Sequence, residues 1–330
     1  MFDDYNKNNE NKELLNIENE NKKEKYLVLK IALTIFLVLV FTLVPIFFIY
    51  YSKDELKFVV VSDVHQSNHY LNKLVKKLSN KKFDYVLFLG DFLKYDDEDD
   101  LKDIERMLKK FEEIAPVLYV SGNHDHPNKL YEENCKLDTD KDKTQNLHKN
   151  YKKLKDDLYI VGVSGTTPIL GIHKDNYKKN DTPFENLNIT KKLTKGFPCL
   201  GEFKICDEEF KSNLTYSLNK IEDKIKDKNA KIILMTHIGP LYSYTSVQYF
   251  NETFPFSYLG SKELFDKFML DDKIILNLHG HTHPSRGRFN FYTNKTVFNP
   301  GALKDSFYAT MKVIKKDGKY DIETTLENLD

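Results

Sequence analysis

Five short clusters of carboxylate, amide and imidazole side chains stand out along the chain. They are Asp63-Val64-His65, Gly90-Asp91, Gly122-Asn123-His124-Asp125, Thr236-His237 and Gly280-His281-Thr282-His283. Together they offer oxygen and nitrogen donors. Such a set suits Mn²⁺, Fe or Zn²⁺ better than Ca²⁺ or a thiolate-bound ion. In extended backbone, residues two apart point the same way, so Asp63 and His65 are expected to chelate one ion together. The same holds for His281 and His283 unless a turn separates their targets. Gly90, Gly122 and Gly280 directly precede ligand candidates and allow the backbone to turn tightly beside a metal or phosphate.

Something must carry these clusters to one place. Short apolar runs precede them: Phe58–Val61, Tyr85–Leu89, Val117–Val120, Ile232–Met235 and Ile274–Leu276, with a further run at Leu158–Val161. Runs of β-branched and aromatic residues of this length read as buried strands. Between them, Leu71–Leu78, Leu101–Ile114 and Leu214–Lys226 have the amphipathic spacing of helices. Alternation of strands and helices implies an α/β domain, and in such sheets ligands bind beyond the strand C-termini. Residues 127–156 and 167–212 carry no such rhythm and read as long loops or lids.

Each cluster alone has an ordinary reading. Asp-x-His is commonly a strand end meeting solvent, Gly-Asp a turn, Gly-Asn-His-Asp an Asn-led turn, and a lone histidine a satisfied core or surface residue. Five such clusters at five strand ends in one chain are poorly explained by coincidence. In their order they resemble the calcineurin-like metallophosphoesterases, over residues ~56–312. The resemblance implies two packed β-sheets flanked by helices, so that residues 53–330 form one catalytic domain. It implies one metal held by Asp63, His65, Asp91 and His283, and a second held by Asp91, Asn123, His237 and His281, with Asp91 bridging. It implies that His124 contacts the scissile phosphate and protonates the leaving group, with Asp125 orienting it and Asn123 near the substrate. Asn299-Pro300-Gly301 resembles a late turn near the site. The reaction implied is hydrolysis of a phosphate ester by a metal-activated water, without a phospho-enzyme.

The resemblance has limits. Gly90-Asp91-Phe92-Leu93-Lys94 and Gly122-Asn123-His124-Asp125 depart from the protein serine/threonine phosphatase branch, and Pro284-Ser285-Arg286 departs from some bacterial membrane-associated members. Two of the three arginines, Arg286 and Arg288, follow the last cluster and are candidates for contacting substrate phosphate, against the plainer reading of exposed loop residues. Other functions stay open on the same fold: a catalytically silent, anchored scaffold module, or a phosphodiesterase or nuclease. No cluster residue is missing, as a silent module would suggest, and no basic stripe with interleaved aromatics suggests nucleic acid.

Composition bounds the rest. The 330 residues carry 50 Lys+Arg against 50 Asp+Glu, so bulk charge does not point to a nucleic-acid partner. Three cysteines supply no disulfide framework, although Cys199 and Cys206 could pair in an exported domain, leaving Cys135. Residues 31–51 hold no charge and are long enough to cross a bilayer, within an expected transmembrane helix over 26–52. The long leader and the lack of a small-residue cleavage site argue against a signal peptide. Residues 1–25 read as a disordered tail. Lys22, Lys23, Lys25 and Lys30 against Lys53 and Lys57 place that tail in the cytoplasm and the catalytic domain outside or in a lumen. Sequons at Asn180, Asn188, Asn213, Asn251 and Asn294 fit an exported domain and barely exceed chance.

Overall fold

A computed structural model describes residues 25–44, 55–94, 100–125, 137, 139–140, 142–164, 214, 218–248, 257–292 and 295–330. The described residues before Leu56, with Ile314–Lys319, form one compact unit, and the remaining described residues form the other. In the first, Lys25–Val44 is one helix, α1, with solvent-exposed apolar side chains. Its two threonines turn their hydroxyls back onto the helix, Thr34 to the Lys30 carbonyl at 2.9 Å and Thr42 to the Val38 carbonyl at 2.7 Å. Such back-bonding hides the only polar side-chain atoms along its apolar stretch. The helix is long and apolar enough to cross a membrane, a property that signal sequences share. It begins earlier than the charge-free run at 31–51 suggests, because Tyr26–Lys30 continue the helix without a breaker. Residues 45–52 of the expected span, residues 1–24 of the tail, the five sequon asparagines and the three cysteines lie outside the described residues.

The second unit is built on two mixed six-stranded sheets. Strands β1 (Glu55–Val61), β2 (Tyr85–Phe88), β3 (Val117–Tyr119) and β4 (Thr144–Asn146) run parallel in one sheet. That sheet is completed beside β1 by β13 (Phe307–Lys316) and β14 (Lys319–Asn328). The other sheet has the order β11 (Gly287–Asn290), β12 (Thr296–Asn299), β10 (Ile274–Leu278), β7 (Lys231–Thr236), β6 (Leu158–Val163) and β5 (Asn150–Lys155). Its inner four strands are parallel and its two edges antiparallel. A small ribbon, β8 (Val247–Gln248) with β9 (Ser257–Tyr258), stands apart from both.

The period-two alternation of the strands sorts their side chains into layers. Phe58 and Val60 of β1, Leu87 of β2, and Ile233 and Met235 of β7 fill the core between the sheets. Their neighbours Val59, Val61, Val86 and Phe88 face the opposite way. There they meet Leu71, Leu74, Val75 and Leu78 of α2 (Asn68–Leu78) and Ile104, Met107, Leu108 and Phe111 of α3 (Asp100–Glu112). Both quartets follow the i, i+3, i+4, i+7 spacing that puts one helix face on a sheet. On the far side of the second sheet, Ile232 and Leu234 pack on Leu218 and Ile221 of a helical stretch at 218–224 and on Leu264 and Phe268 of α4 (Lys262–Leu270). Ser261 caps α4 by accepting the Leu264 N–H at 3.1 Å.

Two elements differ from the sequence expectation. Part of the charged stretch 127–156 is strand, not loop: β4 and β5 lie within it. β5 reads Asn-Tyr-Lys-Lys-Leu-Lys and forms a sheet edge, where lysines discourage further strand pairing and erase the hydrophobic signal. The link between β4 and β5, Leu147–Lys149, carries the chain from one sheet to the other. Here the ring Nδ1 of half-buried His148 accepts the Ser164 N–H at 3.1 Å, and Ser164 Oγ accepts the Ser121 N–H at 3.0 Å. Burial, aided by neighbouring Lys149, depresses His148 to about 3. Its native form is therefore neutral, and the unfolded chain binds the extra proton below the usual histidine range. Stability should be full above pH ~6.5 and fall as pH drops below it, by about 1–2 kcal/mol near pH 4.5 once partial exposure is allowed for. Urea unfolding at both pH values checks this. His148→Gln should flatten that part of the dependence, and an unchanged slope would disprove the assignment.

Candidate metal centre

The clusters occupy the C-terminal ends of β1, β2, β3, β7 and β10, where the parallel strands of the two sheets open onto a common side. Asp63 and His65 do not meet by strand alternation, as the sequence suggested. β1 ends at Val61, and Asp63, His65 and Gln66 have φ of 54°, 45° and 59°. Asp91 and His281 are also left-handed, at φ 60° and 67°. Such conformations cost non-glycine residues of order 1–3 kcal/mol each and persist only when the surroundings over-determine them. The surroundings here do so. The β1 loop continues pairing past the strand, with Asp63, His65 and Gln66 N–H groups donating to the Gly90, Asp91 and Phe92 carbonyls at 2.9, 3.1 and 2.8 Å. Gly122 leaves room that a side chain would take: a Cβ there would run into the Asp91 carboxylate.

Histidine orientation is set by backbone carbonyls. The Nδ1–H of His65 donates to Leu93 O at 2.8 Å, that of His237 to Leu89 O at 2.8 Å and that of His124 to Lys94 O at 2.9 Å. A carbonyl only accepts, so each ring keeps its proton on Nδ1 and turns Nε2 to the carboxylates. His65 Nε2 lies 3.7 Å from Asp63 Oδ1 and 3.7 Å from Asp91 Oδ2. His283 Nε2 lies 3.1 Å from Asp63 Oδ1 and 3.3 Å from His65 Nε2. His237 Nε2 lies 3.3 Å from Asp91 Oδ2 and 3.0 Å from Asn123 Oδ1. Two sets of donor atoms, Asp63-His65-His283 and Asp91-His237-His281, each converge within 4.8 Å, and Asp91 also joins a third with His65 and His124.

The donor set fits divalent ions. Of four buried side-chain polar atoms without a hydrogen-bond partner among the described residues, His281 Nε2 is the one within these sets. An enclosed imidazole nitrogen without a proton donor, beside a buried carboxylate, is what a cation satisfies. The protonation balance agrees. Burial pushes Asp91 up but the His237 charge outweighs it, holding the carboxyl at about 2. Burial opposes charge on His237, yet the Asp91 carboxylate raises it to about 9, while burial and the His237 charge drop His281 to about 3. The carboxylates thus draw positive charge into the site, and bound metal would take the place of the proton on His237.

Asp125 has a different part from the one expected. Its carboxylate accepts the backbone N–H groups of Asp91 at 3.0 Å, Phe92 at 2.8 Å, Leu93 at 3.3 Å and Gly122 at 2.8 Å. It therefore holds the Asp91 loop, while the carbonyl of Lys94 orients His124. Arg288 is also differently engaged: its guanidinium donates to the Ile322 carbonyl at 2.7 Å and to Asn290 Oδ1 at 3.2 Å, tying β11 to β14. Its forks are committed to the fold, which removes it as a phosphate ligand. Arg286 is exposed and stacks over the Phe307 ring, 3.7 Å from the centroid. Asn299 stitches the last cluster, with Nδ2 donating to Thr282 O at 3.0 Å and Thr282 Oγ1 at 3.1 Å. Sequence reasoning missed Lys304 and Asp305, whose turn follows β12, and whose Asp305 Oδ2 lies 4.0 Å from His283 Nδ1. The strand-end rule applied to β12, parallel to β10, would have found them.

If these sets take divalent ions, Mn²⁺ added to chelator-treated protein should raise the melting temperature by about 4 °C or more at 100-fold excess over Kd. Asp91→Asn, which touches both sets, should remove most of the shift. Equal shifts in both proteins would refute the bridging position.

Residues 56–285 match the family model for calcineurin-like phosphoesterases. Among curated proteins no sequence match is found. One solved crystal structure superposes with a TM-score of 0.57 at 14% identity, covering 84% of this chain and 100% of its own. The Thermus thermophilus protein TT1561 gives 0.50 at 16%, with 83% of this chain and 99% of that one covered. Haemophilus influenzae NAD nucleotidase gives 0.47 at 14%, with 83% of this chain and 56% of that one covered. At these identities the first two likenesses are ones of fold alone.

Proposed function

The chain belongs to the calcineurin-like phosphoesterase family, and from that premise we propose that it is a metal-dependent hydrolase of phosphate esters working at a dinuclear centre. The observation that carries this reading is the buried Asp91 carboxylate lying between two histidine sets, with His281 Nε2 enclosed beside it without a partner among the described residues. In this reading Asp63, His65, Asp91 and His283 hold one divalent ion, and Asp91, Asn123, His237 and His281 the other. The bound pair, whether Mn, Fe or Zn, would supply Lewis-acid charge and a water acidic enough to attack phosphorus.

The chain's own residues do the remaining work. Lys94 O holds the His124 proton on Nδ1, so Nε2, 4.0 Å from Asp91 Oδ2, faces the site. When it too is protonated, His124 Nε2–H can donate to the ester oxygen that leaves, so that the alcohol departs neutral. Burial depresses the His124 pKa, opposed by the Asp91 carboxylate, which makes the imidazolium a stronger acid. Asp125 keeps the Asp91 loop and Gly122 in place, and Asn123 joins that loop to His237. His124→Ala should lower kcat by ~10²–10⁴-fold on an alkyl phosphate whose leaving group needs a proton, and much less on an aryl phosphate. Asp91→Asn should abolish both. The test is turnover of a phosphomonoester, a phosphodiester and a pyrophosphate by the full-length chain in detergent with Mn²⁺. Activity of both variants equal to wild type would sink the mechanism, and two bound metals without turnover would favour a silent scaffold.

α1 supports a further part of the proposal: a retained single-pass anchor through residues 31–51, with the tail of residues 1–25 cytoplasmic and residues 53–330 extracytoplasmic or lumenal. Its exposed apolar side chains and self-bonded threonines suit lipid, and the lysine bias gives the orientation. The full-length protein should resist alkaline carbonate extraction and keep its N-terminus. A mature chain beginning beyond residue 44 would mark a cleaved signal instead.

A further inference from the structure

After β12 the chain returns through Gly301 to a single 3₁₀ turn, Leu303–Asp305. Two backbone bonds seat this turn against the first cluster: Leu303 N–H donates to Ser62 O at 2.9 Å and Lys304 N–H to Asp63 O at 3.1 Å. The Lys304 side chain is half-buried there. Its charge is felt at His65: burial lowers that imidazole, Asp63 and Asp91 raise it, and Lys304 is the cation acting against them.

Several lysines elsewhere in the fold meet carboxylates, and Lys295 meets the carbonyls of Asp271 and Ile274. Lys73 pairs with Asp330, Lys262 with Asp266, and Lys267 with both Glu222 and Asp271. Among the described residues the Lys304 ammonium has no hydrogen-bond or ion-pair partner. A lysine can bury its stem against the fold and keep its ammonium available to an anion. The adjoining carboxylates, Asp63 and Asp91, are already engaged by His283, His65 and His237. A phosphoryl ligand entering the side on which those residues converge would supply the counter-charge that Lys304 lacks among the described residues.

We propose that Lys304 binds a non-bridging oxygen of the substrate phosphoryl group and makes the enzyme selective for dianionic phosphomonoesters over monoanionic phosphodiesters. This rests on the hydrolytic reading given above. A monoester carries between one and a half and two negative charges near pH 7 and a diester one, so a cation additional to the metal ions favours the monoester. Arg286, exposed over Phe307 and packed by its stem beside Gly301, adds positive charge next to the same turn.

The test compares wild type, Lys304→Met and Lys304→Arg as full-length protein in detergent with Mn²⁺. It uses an aryl phosphomonoester and the corresponding methyl aryl phosphodiester. Lys304→Met should raise KM for the monoester ~10-fold or more while kcat changes less than ~3-fold, and should leave the diester KM within ~3-fold. Lys304→Arg should restore most of the loss. Calorimetric titration with inorganic phosphate should show a matching ~10-fold weakening in Lys304→Met. Equal effects on both esters, or unchanged monoester KM and phosphate affinity at an unchanged melting temperature, would overturn the proposal. Should wild type hydrolyse neither ester, the hydrolytic reading itself fails. Lys304 is then judged by the phosphate titration alone: loss of affinity supports it, and equal affinity overturns it.

Discussion

Asp91 is the residue around which the rest of the site is arranged. It is a buried carboxylate on a left-handed residue, its side chain shared among His65, His124 and His237. Burial and the left-handed backbone are each unfavourable in isolation, since the first opposes its charge and the second strains it. They coexist because the loop is held from several directions. Asp125 gathers its N–H groups, Gly122 leaves it space, and the β1 loop lies across it through continued strand pairing. Even this support carries a second unfavourable element. Burial, together with the neighbouring Asp91, pushes Asp125 up to about 7, so two close carboxyl groups compete for charge in one enclosed place. A positive counter-charge at Asp91 relieves both, which gives a physical reason for the three histidines beside it.

Much of this was legible in the amino-acid order. Strand runs such as Phe58–Val61 and Ile232–Met235 appear where expected because fully buried parallel strands need uninterrupted apolar residues. The helices α2 and α3 follow from their apolar spacing. The site clusters were visible because strand C-termini gather in one place in α/β sheets, so several donor-rich strand ends imply convergence without any knowledge of register.

What escaped the sequence was of another kind. The left-handed turns at Asp63, His65 and Asp91 have no side-chain signature, since nothing in Asp-Val-His announces a reversal of hand. The acceptors that orient the histidines are carbonyls of Leu89, Leu93 and Lys94, and every residue has a carbonyl. Arg288 resembled a phosphate ligand because its neighbour in sequence is the metal cluster, yet on β11 its guanidinium reaches β14, far along the chain. β5 was hidden by its lysines, which an edge strand tolerates on faces that an inner strand could not.

The crossing at Leu147–Lys149 has a consequence for how the molecule assembles. It joins the sheets before their later strands are even present, for β7, β10 and β12 all follow it in the chain. His283 and Asp63, whose side chains meet, are separated by 220 residues, so their contact closes the longest loop among the cluster pairs. Contacts of such high sequence separation form slowly, so this one is expected late in folding, once both sheets have packed. Bonds made that late act mainly on escape from the native state. An ion held across them would lengthen the lifetime of the folded domain more than it hastens folding, so that the site, besides whatever it catalyses, would serve as a latch between the two sheets.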